Sequence, residues 1–387
     1  VLGANVDRGE TRFRASSEVA ALTLDRGFAS PTVLIDIAGG PITPVHLKTT
    51  NTYYGVYASN IFDVTPDLSL TLSGRFNSAK TKLRDQIGTA LNGDHAYDRF
   101  NPGVGLTYKI TPSVTAYARY SEANRVPTPA ELSCADENAP CSLANFFVSD
   151  PPLNQVVSRS IETGLRGHFV AGTDGRVQWN VGIFNNDNDN DIIFVPSDIV
   201  GRAFFRNAGD TRRRGIEVGA EYQTERFTAF VDYAYVEATF RSNLSINSPS
   251  NPAANPDGNI SVMPGNRLPG VAPHSIKFGA GYDVTSAWTV AFDARVASGQ
   301  YLFGDESNST PKVPGYAVVN ANTRYQLTDY IQVFAMIQNL LDTKYETFGT
   351  FSETEEVPLL EAPNASNPRA FSAAPPIALY GGVRVRF

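Results

Sequence analysis

The connections in this chain constrain its fold more tightly than the segments they join. About fourteen stretches alternate apolar and other residues with a period of two, the signature of half-buried strands. They lie near 1–7, 49–62, 67–84, 97–109, 112–123, 156–169, 175–195, 211–223, 226–240, 273–284, 287–300, 315–327, 330–341 and 376–387. Short connections fall at Val64–Asp67, Thr111–Ser113, Gly172–Gly175, Thr224–Glu225, Thr285–Ser286 and Thr328–Asp329. Long ones fall near 8–48, 85–96, 124–155, 196–210, 241–272, 301–314 and 342–375. Short and long alternate throughout. In an up-and-down antiparallel sheet this collects every short turn at one end and every long loop at the other, as in membrane-spanning barrels. A soluble sandwich or propeller has no reason to produce that asymmetry.

The segments themselves agree. In the last one, Ile377, Leu379, Gly381, Val383, Val385 and Phe387 share one face, and Ala378, Tyr380, Gly382, Arg384 and Arg386 share the other. Trp288 to Val296 and Ile331 to Gln338 repeat the pattern. Segments of this length, tilted near 40°, cross a bilayer core. No run approaches the roughly 18 apolar residues of a membrane helix, so a helical membrane protein is excluded. The net charge of -7 disfavours a nucleic-acid partner, which needs clustered Lys and Arg. The chain opens on Val1, directly in a strand-like run, which reads as a portion of a longer chain or one from which a leader has been removed.

Four elements then resemble TonB-dependent outer-membrane receptors, in family order over roughly 117–387. Tyr117 to Leu132 (YARYSEANRVPTPAEL) is similar to that family's "YxxYSxGxRxPT…EL" stretch. Asn207-Ala208-Gly209 with Arg214-Gly215-Ile216-Glu217 resembles its "NAG…RGxE" element, and Asn339 to Tyr345 (NLLDTKY) its "NLxDxxY" element. The terminal Phe387 matches an outer-membrane assembly signal. The resemblance implies a transmembrane antiparallel β-barrel, all-β and up-and-down. About fourteen strands of a probable 22-strand barrel are present, spanning 1–387, with a plug domain and further strands outside this chain. It also implies energised uptake of a scarce solute such as a ferric siderophore, cobalamin or oligosaccharide. The expected location is the outer membrane of a Gram-negative bacterium. The expected partners are membrane lipid, the TonB system, the barrel assembly machinery and a small-molecule ligand. No bond chemistry and no cofactor are expected. A complete fourteen-strand passive channel is the alternative, with Arg295, Arg384 and Arg386 setting selectivity by charge; a soluble β-rich binding protein is a further one.

The 124–155 loop is the expected ligand- or plug-contacting segment, through Arg125, Glu131, Asn145, Phe146, Phe147 and Asp150. Within it, Cys134 and Cys141 read as a disulfide suited to an oxidising compartment, stabilising by about 2–3 kcal/mol; a metal pair is the other reading, with no third ligand nearby. Asp187, Asp189 and Asp191 resemble alternate calcium ligands but lack the Gly and Glu of that loop, and read more simply as a lumen-facing row. Arg212 to Arg214 read as a rim cluster. His46 and His95 fall in expected outer loops, and no His lies between Arg125 and Leu153 to serve haem. No metal site is expected. Tyr53, Tyr54, Tyr57, Tyr117, Tyr120, Tyr233, Tyr235 and Tyr330 are expected near strand ends, as interfacial rings. There is no G-x-S-x-G, P-loop or H-E-x-x-H motif.

Overall fold

A computed structural model describes residues 1–15, 27, 45–89, 91–133, 141–142, 153–196, 202–352 and 366–387. Fourteen strands form one antiparallel sheet in chain order. They are β1 (Leu2–Ala15), β2 (Val45–Asp63), β3 (Leu68–Asp85), β4 (Gly93–Thr111), β5 (Val114–Arg125), β6 (Val156–Ala171), β7 (Gly175–Asp189), β8 (Thr211–Gln223), β9 (Phe227–Phe240), β10 (His274–Asp283), β11 (Trp288–Ala297), β12 (Tyr316–Gln326), β13 (Ile331–Gln338) and β14 (Ala378–Val385). Every strand expected from the alternation is present. Among the described residues β1 pairs only with β2, and β14 only with β13.

The short turns share a local cause. In four of them a threonine hydroxyl accepts from the backbone N–H three residues on: Thr65 from Leu68 (3.0 Å), Thr224 from Phe227 (3.0 Å), Thr285 from Trp288 (3.1 Å) and Thr328 from Ile331 (3.1 Å). Such a hydroxyl reinforces the main-chain bonds that close the turn, as from Thr224 N to Phe227 O at 2.8 Å. The 171–175 turn instead uses Gly172 at φ +75, a conformation that costs glycine little.

Cross-strand register separates two faces. Ala4, Val56, Phe76 and Phe100 stand in one row across β1 to β4. Continuing round the sheet, Thr163, Ile183, Ile216 and Tyr235 form another row of the same face. Val231, Phe278, Ala294 and Val319 do so further on. Many of these side chains are exposed despite being apolar, as expected of a face turned to lipid. Of the tyrosines expected as interfacial rings, Tyr54, Tyr120, Tyr233 and Tyr235 stand on this outward face. Tyr53, Tyr57 and Tyr117 have the opposite parity and face the concave side, because adjacent strand residues point to opposite faces.

The wall is uneven in height. β2 and β4 each run 19 residues, roughly 60 Å at 3.3 Å per residue, while β13 has eight. The tall strands therefore stand well clear of a hydrocarbon core about 30 Å thick. His46 and His95, expected in loops, lie in these strand extensions of β2 and β4.

The long connections carry structure that their polar composition hid. Ile192–Pro196 pairs with Arg202–Asn207, which also pairs with Cys141–Ser142; Leu244–Asn247 pairs with Asn259–Val262; Glu346–Phe351 pairs with Arg369–Ala373. Two small cores hold them. One gathers Val45, Leu47, Leu83, Leu91, Leu132 and Leu153; the other gathers Val195, Phe204, Phe240, Ile246, Ile260 and Val262. Each fully buried aliphatic side chain contributes about 1.5–3 kcal/mol, enough to order loops that the sheet does not hold.

Candidate functional site: the concave wall and its loop cap

The concave face is polar and rich in charge. Arg166, Asn180, Gly219, Asp232, Lys277 and Arg295 occupy a single row across β6 to β11. The next row brings His168, Gln178, Glu221, Phe230, Gly279 and Asp293 together. Two recesses open on these rows. One, of about 1030 Å³, is lined by Arg166, His168, Glu221 and Asp232. The other, of about 700 Å³, is lined by Lys277, Asp293, Arg295, Asn320, Tyr316 and Tyr345. Glycine makes room at one point: a Cβ on Gly182 would sit 2.9 Å from the Tyr117 hydroxyl, and one on Gly164 would sit 2.8 Å from it.

Ion pairing divides the two faces. On the outward face, above the apolar band, Arg159 pairs with Asp189, Arg212 with Asp187 (2.5 Å) and Arg214 with Glu237 (2.7 Å). Arg213, beside them in the sequence, reaches Asp191 at 3.3 Å. Asp187 and Asp189 thus stand outward, not in the lumen-facing row expected of them. They share the parity of Val177, Trp179, Val181 and Ile183. On the concave face, among the described residues, Arg119, Glu162, Arg166, Glu217, Glu221, Asp232, Lys277 and Arg295 form no ion pair within 4.0 Å. These charges keep their hydration or wait for a polar partner, since buried unpaired charge is costly.

The family-like elements prove to be fastenings at the top of the wall. Main-chain pairing of β4 with β5 stops at Gly103–Ser121. The next β4 residue is Pro102, which has no N–H to donate. Above it side chains bridge the two strands. Arg99 meets Glu122 at 2.5 Å, and Asn124 accepts from Asn101 (2.7 Å) and Asn77 (2.9 Å). Beyond β5, helix α1 (Pro129–Leu132) begins with a capping box: Thr128 Oγ1 accepts from Glu131 N (3.2 Å), and Glu131 accepts from Thr128 N (2.7 Å). Arg125 clamps the same carboxylate at 2.8 Å. Leu132 plugs fully into the first loop core.

Asn207 donates to the carbonyls of Asn190 (2.7 Å) and Asn154 (3.2 Å) and accepts from Asn154 N (2.9 Å), tying the connection before β6 to the one between β7 and β8. Gly209 follows at φ +76. Asn339 sits buried at φ +50, exchanging bonds with Thr343 N (2.8 Å) and Thr343 O (2.9 Å). Asp342 Oδ1 accepts from Ile377 N (3.0 Å), setting the start of β14.

Three loops interlock over the concave face. Asp305 is fully buried and accepts from Ser309 N (2.9 Å), Thr310 N (3.0 Å) and the Thr310 hydroxyl (2.8 Å). Ser248 and Asn251 both donate to Gly304 O at 2.8 Å. Asn308 accepts from Arg267 N and donates to Arg267 O. Phe303 stacks on Phe348 with centroids 5.2 Å apart. Glu306 accepts from Gly304 N at 3.2 Å through one oxygen, and its other oxygen is sealed without a partner. Burial, reinforced by the neighbouring Asp305 charge, pushes its carboxyl up to about 7.

Of the residues expected to touch ligand or plug, Arg125 and Glu131 are brought together, chiefly to each other. Cys134, Asn145, Phe146, Phe147 and Asp150 lie outside the described residues, as does the Cys141 side chain. Phe387 is fully exposed beyond the end of β14. Composition and motif reading missed the unpaired concave charges and the Asp305 knot. Parity within each strand carried the signal for the first.

An up-and-down sheet with an apolar outer face, a charged concave face and loops gathered at one end defines the wall of a transmembrane β-barrel. A family model described as TonB dependent receptor-like, beta-barrel, matches residues 12–340. The chain belongs to that family. It is similar to the probable TonB-dependent siderophore receptor PiuA of Acinetobacter baumannii, with 24% identity over 76% of this chain and 37% of the relative. It is also similar to the ferric-pyoverdine BN7/BN8 receptor of Pseudomonas putida, at 23% identity over 76% of this chain and 31% of that protein. The crystal structure of PiuA superposes with a TM-score of 0.67 at 17% identity, covering 99% of this chain and 52% of that one. The chain thus spans about half the length of that structure, and less of the curated relatives it matches.

Proposed function

We propose that this chain is the greater part of the wall of an outer-membrane receptor that takes up a scarce iron chelate by energised transport. The single observation that carries the reading is the row of unpaired charges on the concave face, a polar wall facing a space that needs a polar occupant. In this reading a plug domain pairs with those charges at rest. The inner-membrane TonB system displaces it, and the solute caught by the loop cap then descends. The two sheet edges support additional strands as well. An edge left open to lipid exposes backbone groups, each costing several kcal/mol, so further strands would pair with β1 and β14. The names of the two relatives, a siderophore receptor and a ferric-pyoverdine receptor, favour a ferric siderophore over cobalamin or an oligosaccharide. Long loops then face the exterior and short turns the periplasm. The chemistry is binding and release, with no bond made or broken.

The test is uptake of radiolabelled ferric siderophores by iron-starved cells with and without the gene, each with and without a protonophore. Loss of uptake on deletion, together with protonophore sensitivity, is the expected result. Uptake that survives the protonophore, joined to steady conductance of the purified protein in planar bilayers, would instead make the molecule a passive channel.

A further inference from the structure

The outward face of β1 to β4 differs from the rest of the wall. Above the row Ala4, Val56, Phe76 and Phe100, and above Tyr54, the side chains turn cationic. Arg8 and Lys80 share one row through Thr52, Lys82 lies in the next, and Arg12, Lys48 and Arg84 align in the third. The orientation is unambiguous in β3: Ala79, Thr81 and Leu83 are buried, while Lys80, Lys82 and Arg84 between them are exposed. Six cations thus face three carboxylates, Glu10, Asp94 and Asp98, in a chain whose net charge is -7. Glu10 meets Lys48 (3.1 Å) and Arg12 (3.3 Å), and Asp94 meets Arg84 (2.8 Å). Arg8, Lys80 and Lys82 have no ion-pair partner among the described residues. The equivalent height on β6 to β9 is different, since Arg159, Arg212 and Arg214 each hold a carboxylate there.

We infer that this belt binds a phosphate-bearing acyl lipid of the surrounding leaflet. Its chains would lie on Val56, Phe76, Phe100 and Val104, and its phosphates on Arg8, Lys80 and Lys82, the belt cations without a carboxylate partner. Neighbouring strands are about 4.8 Å apart and successive same-face residues about 6.8 Å apart. The belt therefore offers several ammonium and guanidinium groups within the width of one headgroup. Guanidinium and ammonium groups recognise phosphate by charge-assisted hydrogen bonds. The apolar band directly beneath supplies what a free anion cannot use, which commits the site to an amphiphile. The inference rests on the membrane placement of the wall and is independent of the solute carried.

The experiment is native mass spectrometry of the purified protein released from detergent, titrated with diphosphoryl lipid A, with the same lipid after phosphatase treatment, and with inorganic phosphate. A juxtamembrane cation strengthens binding to an anionic surface about fivefold. The triple variant Arg8→Gln/Lys80→Gln/Lys82→Gln, which removes the cations without a carboxylate partner, should therefore bind diphosphoryl lipid roughly 100-fold more weakly. Arg214→Gln, in the paired sector, should bind it as the parent does. Heat-modifiable migration on gels verifies that each variant is folded. If the triple variant does not fold, Lys82→Gln alone should weaken binding about fivefold. Equal retention by variant and parent overturns the inference, and so does equal retention of the dephosphorylated lipid. Displacement by millimolar inorganic phosphate also overturns it, by making the belt a small-anion site.

Discussion

Replacing Asp305 with alanine should unfasten the loop cap while leaving the barrel wall intact. Asp305 is buried completely, and three donors converge on it at 3.0 Å or less: the Ser309 and Thr310 amides and the Thr310 hydroxyl. Hydrogen bonds to a charged acceptor contribute about 1.5–3 kcal/mol each, and each amide left buried without a partner costs about 1–3 kcal/mol. The hydroxyl can turn to water, so the two amides dominate, and the loss should be about 3–5 kcal/mol. That corresponds to an opening equilibrium raised by roughly 100- to 5000-fold. Hydrogen exchange followed by mass spectrometry reads it directly: peptides spanning 300–312 should lose protection by at least two orders of magnitude, while β10 and β11 stay protected. Asp305→Asn keeps one acceptor oxygen and should lose about half as much in free energy. Unchanged exchange of 300–312 in the alanine variant would refute the reasoning, because it would mean that packing against Phe348 and the 244–262 hairpin, not this carboxylate, orders the loop.

Glu306 should make the same loop sensitive to pH. Its folded value of about 7 stands above the ordinary 4.5, so the folded loop holds a proton that the unfolded chain has released. Stability should be greatest below about 4.5 and fall as pH rises to about 7, by roughly 3 kcal/mol. Exchange protection of 300–312, corrected for intrinsic rates, should follow that fall, and Glu306→Gln should flatten it; a parent protein with no pH slope would contradict the burial argument. Glu131→Ala removes the cap bond to Thr128 and the pairing with half-exposed Arg125. It should cost about 1–2 kcal/mol, read as faster proteolysis within 126–133. Asn339→Ala loses both bonds to Thr343 and keeps a φ of +50. It should lower barrel stability by about 2–3 kcal/mol, seen as a lower temperature for the heat-modifiable gel shift, whereas Asn339→Asp should retain part of the effect through its acceptor oxygen.

Much of the wall is legible in the sequence. All fourteen strands and six short turns follow from period-two alternation, and four of the tight turns carry a threonine placed three residues ahead of the next strand. The outward position of Asp187 and Asp189 was also legible, since both share the parity of Val181 and Ile183; reading them as polar and therefore lumenal ignored that parity. The hairpins within the loops were not legible. Ile246, Ile260 and Val262 sit in runs of four residues, too short for periodicity to distinguish a strand from an apolar accident. The family-like stretches pointed correctly to the family, but their local work as caps and clasps emerged only when Asn124, Asn207 and Asn339 were seen with their partners.

Alternation within a strand is a property of consecutive residues, because each Cβ points opposite to the last. The sequence alone therefore determined that these segments form a two-faced sheet, and the alternating connection lengths determined its up-and-down order. Register between strands is a relation among residues far apart in the chain. Cross-strand packing and the turns select it together, and a slip of one residue would reverse every face. Only the tertiary structure could bring Arg12, Lys48 and Arg84 into one row, leave Asp232 and Lys277 side by side without an ion pair, and fold Asp305 beneath its own loop.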